Sequence, residues 1–314
     1  MNPRYINHSN VASLLSWDDA LTALRRGHTL PRAEISDSFL GPDTKTLLTR
    51  SAYIAGLGYG VKAVTVMDGN THHALPTTQG AMMAYAHDTG TLRAIIDSAL
   101  ITRIKTVSDS LLGAQLLARP DSRRLLIVGA GVIAESLAEA YAKIFPMIEE
   151  VAIWARRTEK AADLVKNIGN KTVKFRVATD LAKECGHADI ISAATLAREP
   201  ILQGQWIRPG THVDLIGAYK DDMREADDEL IGSAQLYVDA RASTVEHIGE
   251  IKIPLSTGVI SEADIRGELY DLVANETASV RKQDDITVFK NGGGAHLDLM
   301  IADYIIKTYE AQSQ

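Results

Sequence analysis

The chain has 314 residues, of which 46% are hydrophobic and 23% charged, and its formal net charge is −7. This composition is typical of a globular protein with room for two domains, and the negative charge argues against nucleic acid as a partner. The single cysteine, Cys185, excludes an internal disulfide and fits a reducing compartment.

The sequence gives no indication of a membrane or metal partner. No apolar stretch reaches the roughly 18 residues that a membrane span needs. The start, Met1 to Tyr5, lacks the apolar core of a signal peptide, so a cytoplasmic location is predicted. The histidines are scattered, and the adjacent His72 and His73 would point apart in a strand, so no metal site is predicted.

The first hundred residues predict a mixed sheet with flanking helices. Ser16 is typical of a helix cap, and the helix that it begins should run to about Arg26. Strands are then predicted over 46–52, 61–67, 80–87 and 92–97, with a hairpin turn at 88–90. A long helix over 99–118 follows.

From residue 124 onward, predicted strands alternate with helical segments. The strands are 125–128, 151–155, 173–177, 190–193, 212–215, 236–239 and 285–289. The clearest helices are 136–144 and a final one over 296–311. This alternation predicts an α/β domain with a parallel sheet. Since no strand follows the last helix, that helix could return to the first domain.

A glycine turn between strand and helix predicts dinucleotide binding. Residues 124–134 read RLLIVGAGVIA. The glycines let the backbone approach the pyrophosphate closely, and the helix that follows directs its free N–H groups at the negative charge. The residues expected to contact the cofactor here are Gly129, Ala130, Gly131, Val132, Ile133 and Ala134.

The next strand favours NADP(H), with NAD(H) accepted at lower affinity. NAD enzymes usually place an acidic residue at its end to hold the ribose, and here that place holds Ala155. Arg156, Arg157 and Thr158 follow, and guanidinium groups bind a 2′-phosphate well. The alternative is that the arginines only form a solvated strand end. The other candidate cofactor contacts are Ala193, Ala194 and Thr195, at the end of a later strand, and Thr106.

Several separated segments resemble the ornithine cyclodeaminase/mu-crystallin family along nearly the whole chain. They are GVKAVTV at 60–66, LPT at 75–77, ITRIKT at 101–106 and DITVFK at 285–290. The resemblance implies a Rossmann NAD(P)-binding domain over 119–290. It also implies an α+β substrate-binding and dimerisation domain, formed by 1–118 with 291–314, and a homodimer. Members use a nicotinamide cofactor on imines and 2-amino acids.

The resemblance also implies residues for the substrate site. Lys62 matches a lysine that contacts the substrate, and Arg32 is placed like an arginine that clamps its carboxylate. Lys105 stands where the family usually has arginine, which loses a two-pronged grip, and Arg50 could restore it. Whether Arg32 or Arg50 clamps the carboxylate stays open. Further candidates are Thr77 and Gly293, whereas Asp298 is interpreted as a helix-start charge.

One departure from the family favours a reductase over a cyclodeaminase. Tyr219 stands where cyclodeaminases carry an aspartate that acts as a base, and a phenol is a poor base at neutral pH. Hydride transfer to a C=N bond needs only the cofactor, a carboxylate clamp and a proton donor. Lys62, Tyr219 and water are the candidate donors, with Lys105 as a catalytic neighbour that lowers the pKa of Lys62.

Together with these residues, the resemblance implies NADPH-dependent reduction of a cyclic ketimine carboxylate. The substrates are Δ1-pyrroline-2-carboxylate, Δ1-piperideine-2-carboxylate or both, and the products are L-proline and L-pipecolate. One alternative is an ornithine cyclodeaminase or an alanine or opine-type dehydrogenase. The other is a non-catalytic, NADP-dependent binder of small ligands, like mu-crystallin.

Overall fold

A computed structural model describes residues 3–169, 172–275 and 281–312. The first two residues of the chain, which entered the argument against a signal peptide, lie outside this part. The chain forms two compact units: unit 1 comprises Met1–Ser108 with Gly293–Gln314, and unit 2 comprises Asp109–Gly292.

The strands of the two units are numbered in chain order. They are β1 (Arg4–Ile6), β2 (Glu34–Leu40), β3 (Lys45–Ile54), β4 (Gly58–Met67), β5 (Thr78–Tyr85), β6 (Leu92–Asp97), β7 (Arg124–Val128), β8 (Glu150–Trp154), β9 (Lys174–Val177), β10 (Ile190–Ala193), β11 (His212–Leu215), β12 (Gln235–Val238), β13 (Ile265–Glu268) and β14 (Thr287–Lys290).

The α-helices follow the same numbering. They are α1 (His8–Val11), α2 (Trp17–His28), α3 (Ser98–Leu117), α4 (Val132–Ile144), α5 (Thr158–Asn167), α6 (Leu181–Cys185), α7 (Asp228–Ser233), α8 (Arg241–Thr244), α9 (Gly249–Thr257), α10 (Leu269–Ala274) and α11 (Ala295–Gln312). Short 3-10 helices cover Ala12–Leu14, Asp68–His73, Gly204–Trp206 and Glu262–Asp264.

Unit 1 contains a six-stranded sheet in the order β1-β6-β5-β4-β3-β2. β1 and β6 pair in parallel and the other neighbours are antiparallel, so the predicted mixed sheet is confirmed. α11 packs against α2, β3 and β4. The Ser16 side chain accepts the N–H of Asp19 at 3.1 Å, which confirms the predicted cap of α2. The prediction missed β1 and β2, the two edge strands of this sheet, and β2 has mostly exposed side chains.

Unit 2 contains an eight-stranded parallel sheet in the order β9-β8-β7-β10-β11-β14-β12-β13. The chain enters at β7, runs outward through β8 and β9, and then crosses to β10 on the other side of β7. This reversal is the topological switch point at which doubly wound sheets bind dinucleotides. The central strands are largely buried on both faces, as in β7, where only Arg124 is exposed. The predicted Rossmann fold is confirmed.

Two of the boundaries that differ from the predicted ones have a clear structural reason. The first division falls inside α3, after Ser108 instead of after residue 118. The reason is that the second half of α3 contacts unit 2: Ser110 donates to Asp214 at 3.0 Å, and Gly113 abuts the Phe289 ring. In addition, α4 begins at Val132 instead of Ser136, because the glycine turn leads directly into the helix.

The described residues offer neither a helix suited to a bilayer nor a cluster of metal-ligating side chains. Within 3–169, 172–275 and 281–312, no helix combines the length and the apolar character needed to cross a bilayer. No group of three or more His, Cys, Asp or Glu side chains in the same part of the chain is arranged to hold a metal ion.

Asp189 stabilises the start of β7 and should contribute measurably to the stability of the protein. Its carboxylate accepts the N–H groups of Arg123 and Arg124 at 2.8 and 2.9 Å, and it pairs with Arg119 at 2.7 Å and with Arg208. The Asp189 side chain is only 9% exposed. We therefore expect Asp189→Ala to lower the free energy of unfolding by about 3 kcal/mol in denaturant titrations.

The same carboxylate predicts a pH dependence. Burial alone would raise the pKa of Asp189, but the backbone N–H donors and the arginines outweigh it and hold that pKa below its usual value. The stabilisation is therefore present above the ordinary aspartate pKa of about 3.9 and is lost as the pH falls below it. As a control, Asp163→Ala removes a 67% exposed partner of Lys160 and should change stability by less than about 0.5 kcal/mol. Equal effects of the two variants would contradict the assignment.

Candidate active site

The glycine turn of unit 2 has the backbone geometry that a pyrophosphate site needs. Gly129 follows β7 with φ +128°, a conformation that side chains disfavour. Its N–H donates to the carbonyl of Trp154 at 2.8 Å, and a Cβ there would lie 2.6 Å from the carbonyl oxygen of Ala194. Gly131 is the N-cap of α4, with no side-chain hydrogen bond at that cap.

The residues predicted to contact the cofactor begin α4 and line its start. Val132 is 68% exposed, whereas Ala134 is fully buried near Gly129. A helix N-terminus with free N–H groups attracts a phosphate, and α4 has no side chain occupying that role. Gly129, Ala130, Gly131, Val132 and Ile133 therefore fit a dinucleotide pyrophosphate.

The end of β8 carries exposed arginines and no carboxylate at the ribose position. β8 ends at Trp154 and is followed by Ala155, with Arg156 and Arg157 exposed beyond it. Arg157 is the N-cap of α5, which begins at Thr158. Among the residues that the structure describes, no carboxylate forms an ion pair with either guanidinium group. Both guanidinium groups are therefore accessible to a ligand.

The loops after β10 and β11 complete the carboxyl edge of this sheet. Ala193 ends β10 and is fully buried, and Ala194 donates its N–H to the carbonyl of Val128 at 2.8 Å. The N–H and the hydroxyl of Thr195 both donate to Glu225, at 2.8 and 2.7 Å. These donors are thus engaged inside the protein. Tyr219 follows β11 and is 46% exposed, with the Lys220 ammonium 5.7 Å from its ring centroid.

Unit 1 brings three predicted cations together on one face of its sheet. Arg50 on β3 and Lys62 on β4 are directly opposite each other in the antiparallel register, and Lys105 lies on α3. Lys62 and Lys105 are 5% and 4% exposed. Lys62 belongs to the buried set of an alternating strand, together with Gly60 and Val64. We call Arg50, Lys62, Lys105, Asp37 and Asp298 the cationic cluster, since it contains three cations and two carboxylates.

Asp298 on α11 is the partner of Lys62. The Lys62 ammonium lies 2.7 Å from each oxygen of the Asp298 carboxylate, and both side chains are buried. The interpretation of Asp298 as a helix-start charge agrees with its place in the first turn of α11, and the structure adds that this side chain is buried and paired with Lys62. A buried carboxylate needs a cationic partner, and β4 supplies it.

Arg50 is oriented by two contacts. Its Nε and Nη2 donate to Asp37 at 2.9 and 2.6 Å, and its Nη1 donates to the carbonyl of Gly293 at 2.5 Å. Gly293 has φ +71°, and a Cβ there would overlap the Lys105 ammonium. The backbone conformation thus favours glycine at this position, and the absence of a side chain leaves the space that the Lys105 ammonium occupies.

Burial and charge set the proton affinity of the Lys62–Asp298 pair. Burial lowers the pKa of Lys62 to about 8; Asp298 opposes this shift, and Lys105 and Arg50 add to it. Burial alone would raise the pKa of Asp298, but the three cations outweigh it and hold that pKa below its usual value. An ammonium group with a pKa near neutrality is suited to donate a proton.

Three other predicted residues are not part of this cluster as described. Arg32 is exposed in the segment before β2. Thr77 is half-buried just before β5, where its carbonyl accepts the N–H of Met67 at 2.8 Å. Thr106, next to Lys105 on α3, is buried. Sequence reasoning missed Asp37, and the only signal for it is its register opposite Arg50 in the β2–β3 pair.

Comparisons with known proteins agree with the fold and with the resemblance. The ornithine cyclodeaminase/mu-crystallin family model matches residues 43–313. The Δ1-pyrroline-2-carboxylate reductase of Paracoccus denitrificans (strain Pd 1222) is 54% identical over 305 residues, which are 97% of this chain and 96% of that protein.

Two solved structures are similar over the whole chain. One is Δ1-pyrroline-2-carboxylate reductase of Thermococcus litoralis in complex with NADH and L-proline. It has a TM-score of 0.92 and 26% identity, and the match covers 99% of this chain and 98% of that one. The other is an archaeal alanine dehydrogenase dimer with bound NAD, with a TM-score of 0.90, 25% identity, and coverage of 100% and 98%. The chain therefore belongs to the ornithine cyclodeaminase/mu-crystallin family, as the sequence predicts.

Proposed function

We propose that the protein is an NADPH-dependent reductase of cyclic ketimine carboxylates, which it converts to L-proline or L-pipecolate. The observation that carries this proposal is the buried cationic cluster, in which Lys62 is paired with Asp298 and stands beside Lys105. The Paracoccus relative is named for this reaction on the five-membered ring, and the Thermococcus structure holds NADH and L-proline. The six-membered ring stays a prediction from the sequence.

The cluster can hold the substrate carboxylate. Three cations face two carboxylates, so one positive charge is left to balance an anionic ligand. Asp37 and the Gly293 carbonyl fix the Arg50 guanidinium, so that it does not have to be ordered on binding. Arg50 and Lys105 are therefore our proposed clamp. Arg32 is the weaker alternative, because it is exposed.

Lys62 is the proton donor that we favour. Reduction of the C=N bond needs one proton on nitrogen and one hydride on carbon, and a nicotinamide bound by unit 2 would supply the hydride. The Lys62 ammonium can give its proton to the imine nitrogen, because burial lowers its pKa to about 8. Asp298 holds the ammonium in place and stabilises its charged form until the proton leaves. Tyr219 and water stay as alternatives.

NADP(H) is the cofactor that the end of β8 favours. Ala155 offers no carboxylate to the ribose, and the exposed Arg156 and Arg157 are available to a 2′-phosphate. We propose that NAD(H) is used at lower affinity. The similar Thermococcus structure contains NADH, so the affinities of this protein for NADPH and NADH should be measured side by side.

The second candidate function is that of an amino-acid dehydrogenase. The similarity to the archaeal alanine dehydrogenase supports it. A cyclodeaminase is less well supported, because Tyr219 is half exposed and replaces the aspartate of those enzymes. The buried Lys62–Asp298 pair also argues against a binder without turnover.

A homodimer through unit 1 and a cytoplasmic location complete the proposal. Phe39, Leu40 and Leu47 are exposed apolar side chains on β2 and β3, at one edge of the sheet of unit 1. An apolar edge of this kind is a common site of association. The location stays a prediction from the sequence.

Activity can be tested with purified protein, NADPH and Δ1-pyrroline-2-carboxylate. We expect the absorbance of the reduced cofactor to fall and L-proline to accumulate, with a lower KM for NADPH than for NADH. Lys62→Met should lower kcat by about 100-fold or more, whereas Lys45→Met, an exposed lysine on β3, should not. Release of ammonia from L-ornithine in the presence of NAD, without imine reduction, would indicate a cyclodeaminase. Activity in neither assay would indicate a binder without turnover.

The pH profile tests the role of Asp298. A general acid works in its protonated form, so the rate of imine reduction should fall as the pH rises through about 8. Asp298 raises the pKa of Lys62, so in Asp298→Asn the fall should come at a lower pH, by about one unit or more.

The matched control for this profile is Asp303→Asn on the same helix. Asp303 pairs with Arg93 and Lys307, outside the cationic cluster, and its variant should keep the wild-type profile. An unchanged or higher inflection in Asp298→Asn would contradict the role assigned to the pair.

A further inference from the structure

A second group of buried charges lies in unit 2, at the carboxyl ends of β10 and β11. Glu225, Glu250 and Lys290 are each completely buried. None of them lies in the glycine turn or in the cationic cluster, and the proposed reaction assigns them no step. Burying charges is costly unless they are paired and hydrogen-bonded, so the contacts of these side chains indicate what they do.

The Glu225 carboxylate links two loops. One oxygen accepts the N–H and the hydroxyl of Thr195, in the loop after β10, at 2.8 and 2.7 Å. The other oxygen accepts the N–H of Gly217, in the loop after β11, at 2.6 Å. The two loops are in contact at this point, since a Cβ on Gly217 would overlap the carbonyl oxygen of Thr195.

Glu250 and Lys290 form hydrogen bonds with the backbone next to the two loops that Glu225 links. The Glu250 carboxylate accepts the N–H groups of Glu225 and Ala226, at 2.7 and 2.9 Å, which fixes the backbone that carries Glu225. Lys290 donates to the carbonyl of Leu215, the last residue of β11, at 3.0 Å. Burial raises the pKa of Glu225 to about 7 and also raises the pKa of Glu250, and the positive charge of Lys290 opposes both shifts.

The strand order indicates which part of a dinucleotide these loops would meet. The glycine turn follows β7 and the ribose position follows β8, on one side of the switch point. A doubly wound sheet binds a dinucleotide across its two halves, so the nicotinamide half falls on the side of β10 and β11. Thr195 and Gly217 lie on that side.

We propose that Glu225 is a positioning residue for the nicotinamide half of the cofactor, acting through the loops after β10 and β11. The inference rests on the proposed function, because it presupposes that unit 2 binds NADP(H). It also assigns a different role to Thr195: both of its donors are taken by Glu225, so Thr195 shapes the site through the position of its loop and not by donating to the cofactor.

The affinities for two ligands distinguish a role of Glu225 in positioning the nicotinamide half of the cofactor from a general effect on protein stability. One is NADPH, and the other is 2′-phospho-ADP-ribose, which lacks the nicotinamide. Glu225→Gln keeps the size of the side chain but places an amide NH2 against N–H donors. We expect it to raise the Kd of NADPH by about tenfold or more and that of the fragment by less than about twofold, as measured by calorimetry.

Thr195→Val provides a second, milder variant, which removes one of the three donors to Glu225. It should raise the Kd of NADPH by about threefold, and Thr195→Ser, which keeps the hydroxyl, should restore it. Asp189→Asn is the matched control, because Asp189 is a buried carboxylate that also accepts backbone N–H groups, but at the start of β7. It should change stability without changing the ratio of the two Kd values.

The outcomes distinguish this inference from the proposed function. Equal weakening of both ligands in the Glu225 and Thr195 variants, or no change in either, would overturn the positioning role while wild-type binding of NADPH leaves the proposed function standing. Wild-type protein that bound neither ligand would overturn both.

Discussion

The ion pair between Lys62 and Asp298 lies at the centre of the cationic cluster of unit 1. Both side chains are buried, and neither could stay charged there without the other. Because burial lowers the pKa of Lys62 to about 8 while Asp298 opposes the shift, the pair keeps an ammonium group charged but ready to lose its proton. Lys105 and Arg50 add positive charge next to this pair, which we propose binds an anionic substrate.

In unit 2, backbone geometry and one buried carboxylate hold the loops of the candidate cofactor site together. The parallel sheet places the loops after β7, β8, β10 and β11 at one edge. Gly129 lies against Ala194, and Gly217 against Thr195, so neighbouring loops meet without intervening side chains. The buried Glu225 then ties the last two loops together with charge-assisted hydrogen bonds, which are stronger than those between neutral groups.

The parts of the fold that depend on local signals could be predicted from the sequence. The apolar strands of unit 2, the glycine turn and the cap at Ser16 each carry their signal within a few residues. The edge strand β2 could not be found, because its exposed residues show no apolar alternation that would distinguish it from a loop. The division inside α3 was missed because the helix is continuous and only its distant contacts change.

In the candidate site too, only residues with a local signal or a family match could be predicted from the sequence. Lys62, Lys105 and Arg50 could be singled out from the resemblance, but not the carboxylates that hold them. Asp298 is 236 residues away from Lys62, and in the sequence it looks like an ordinary charge at the start of a helix. Glu225 likewise follows a loop of mixed polarity, and its burial becomes evident only when β10 and β11 are adjacent. Ion pairs that cross a fold leave no periodic pattern in the chain.

The most direct measurement of the central claim is a crystal structure with NADP⁺ and L-proline bound. We expect the Lys62 and Lys105 ammonium groups to lie within about 3.5 Å of polar atoms of the proline. A structure in which both lysines point into bulk solvent, away from the bound amino acid, would contradict the account.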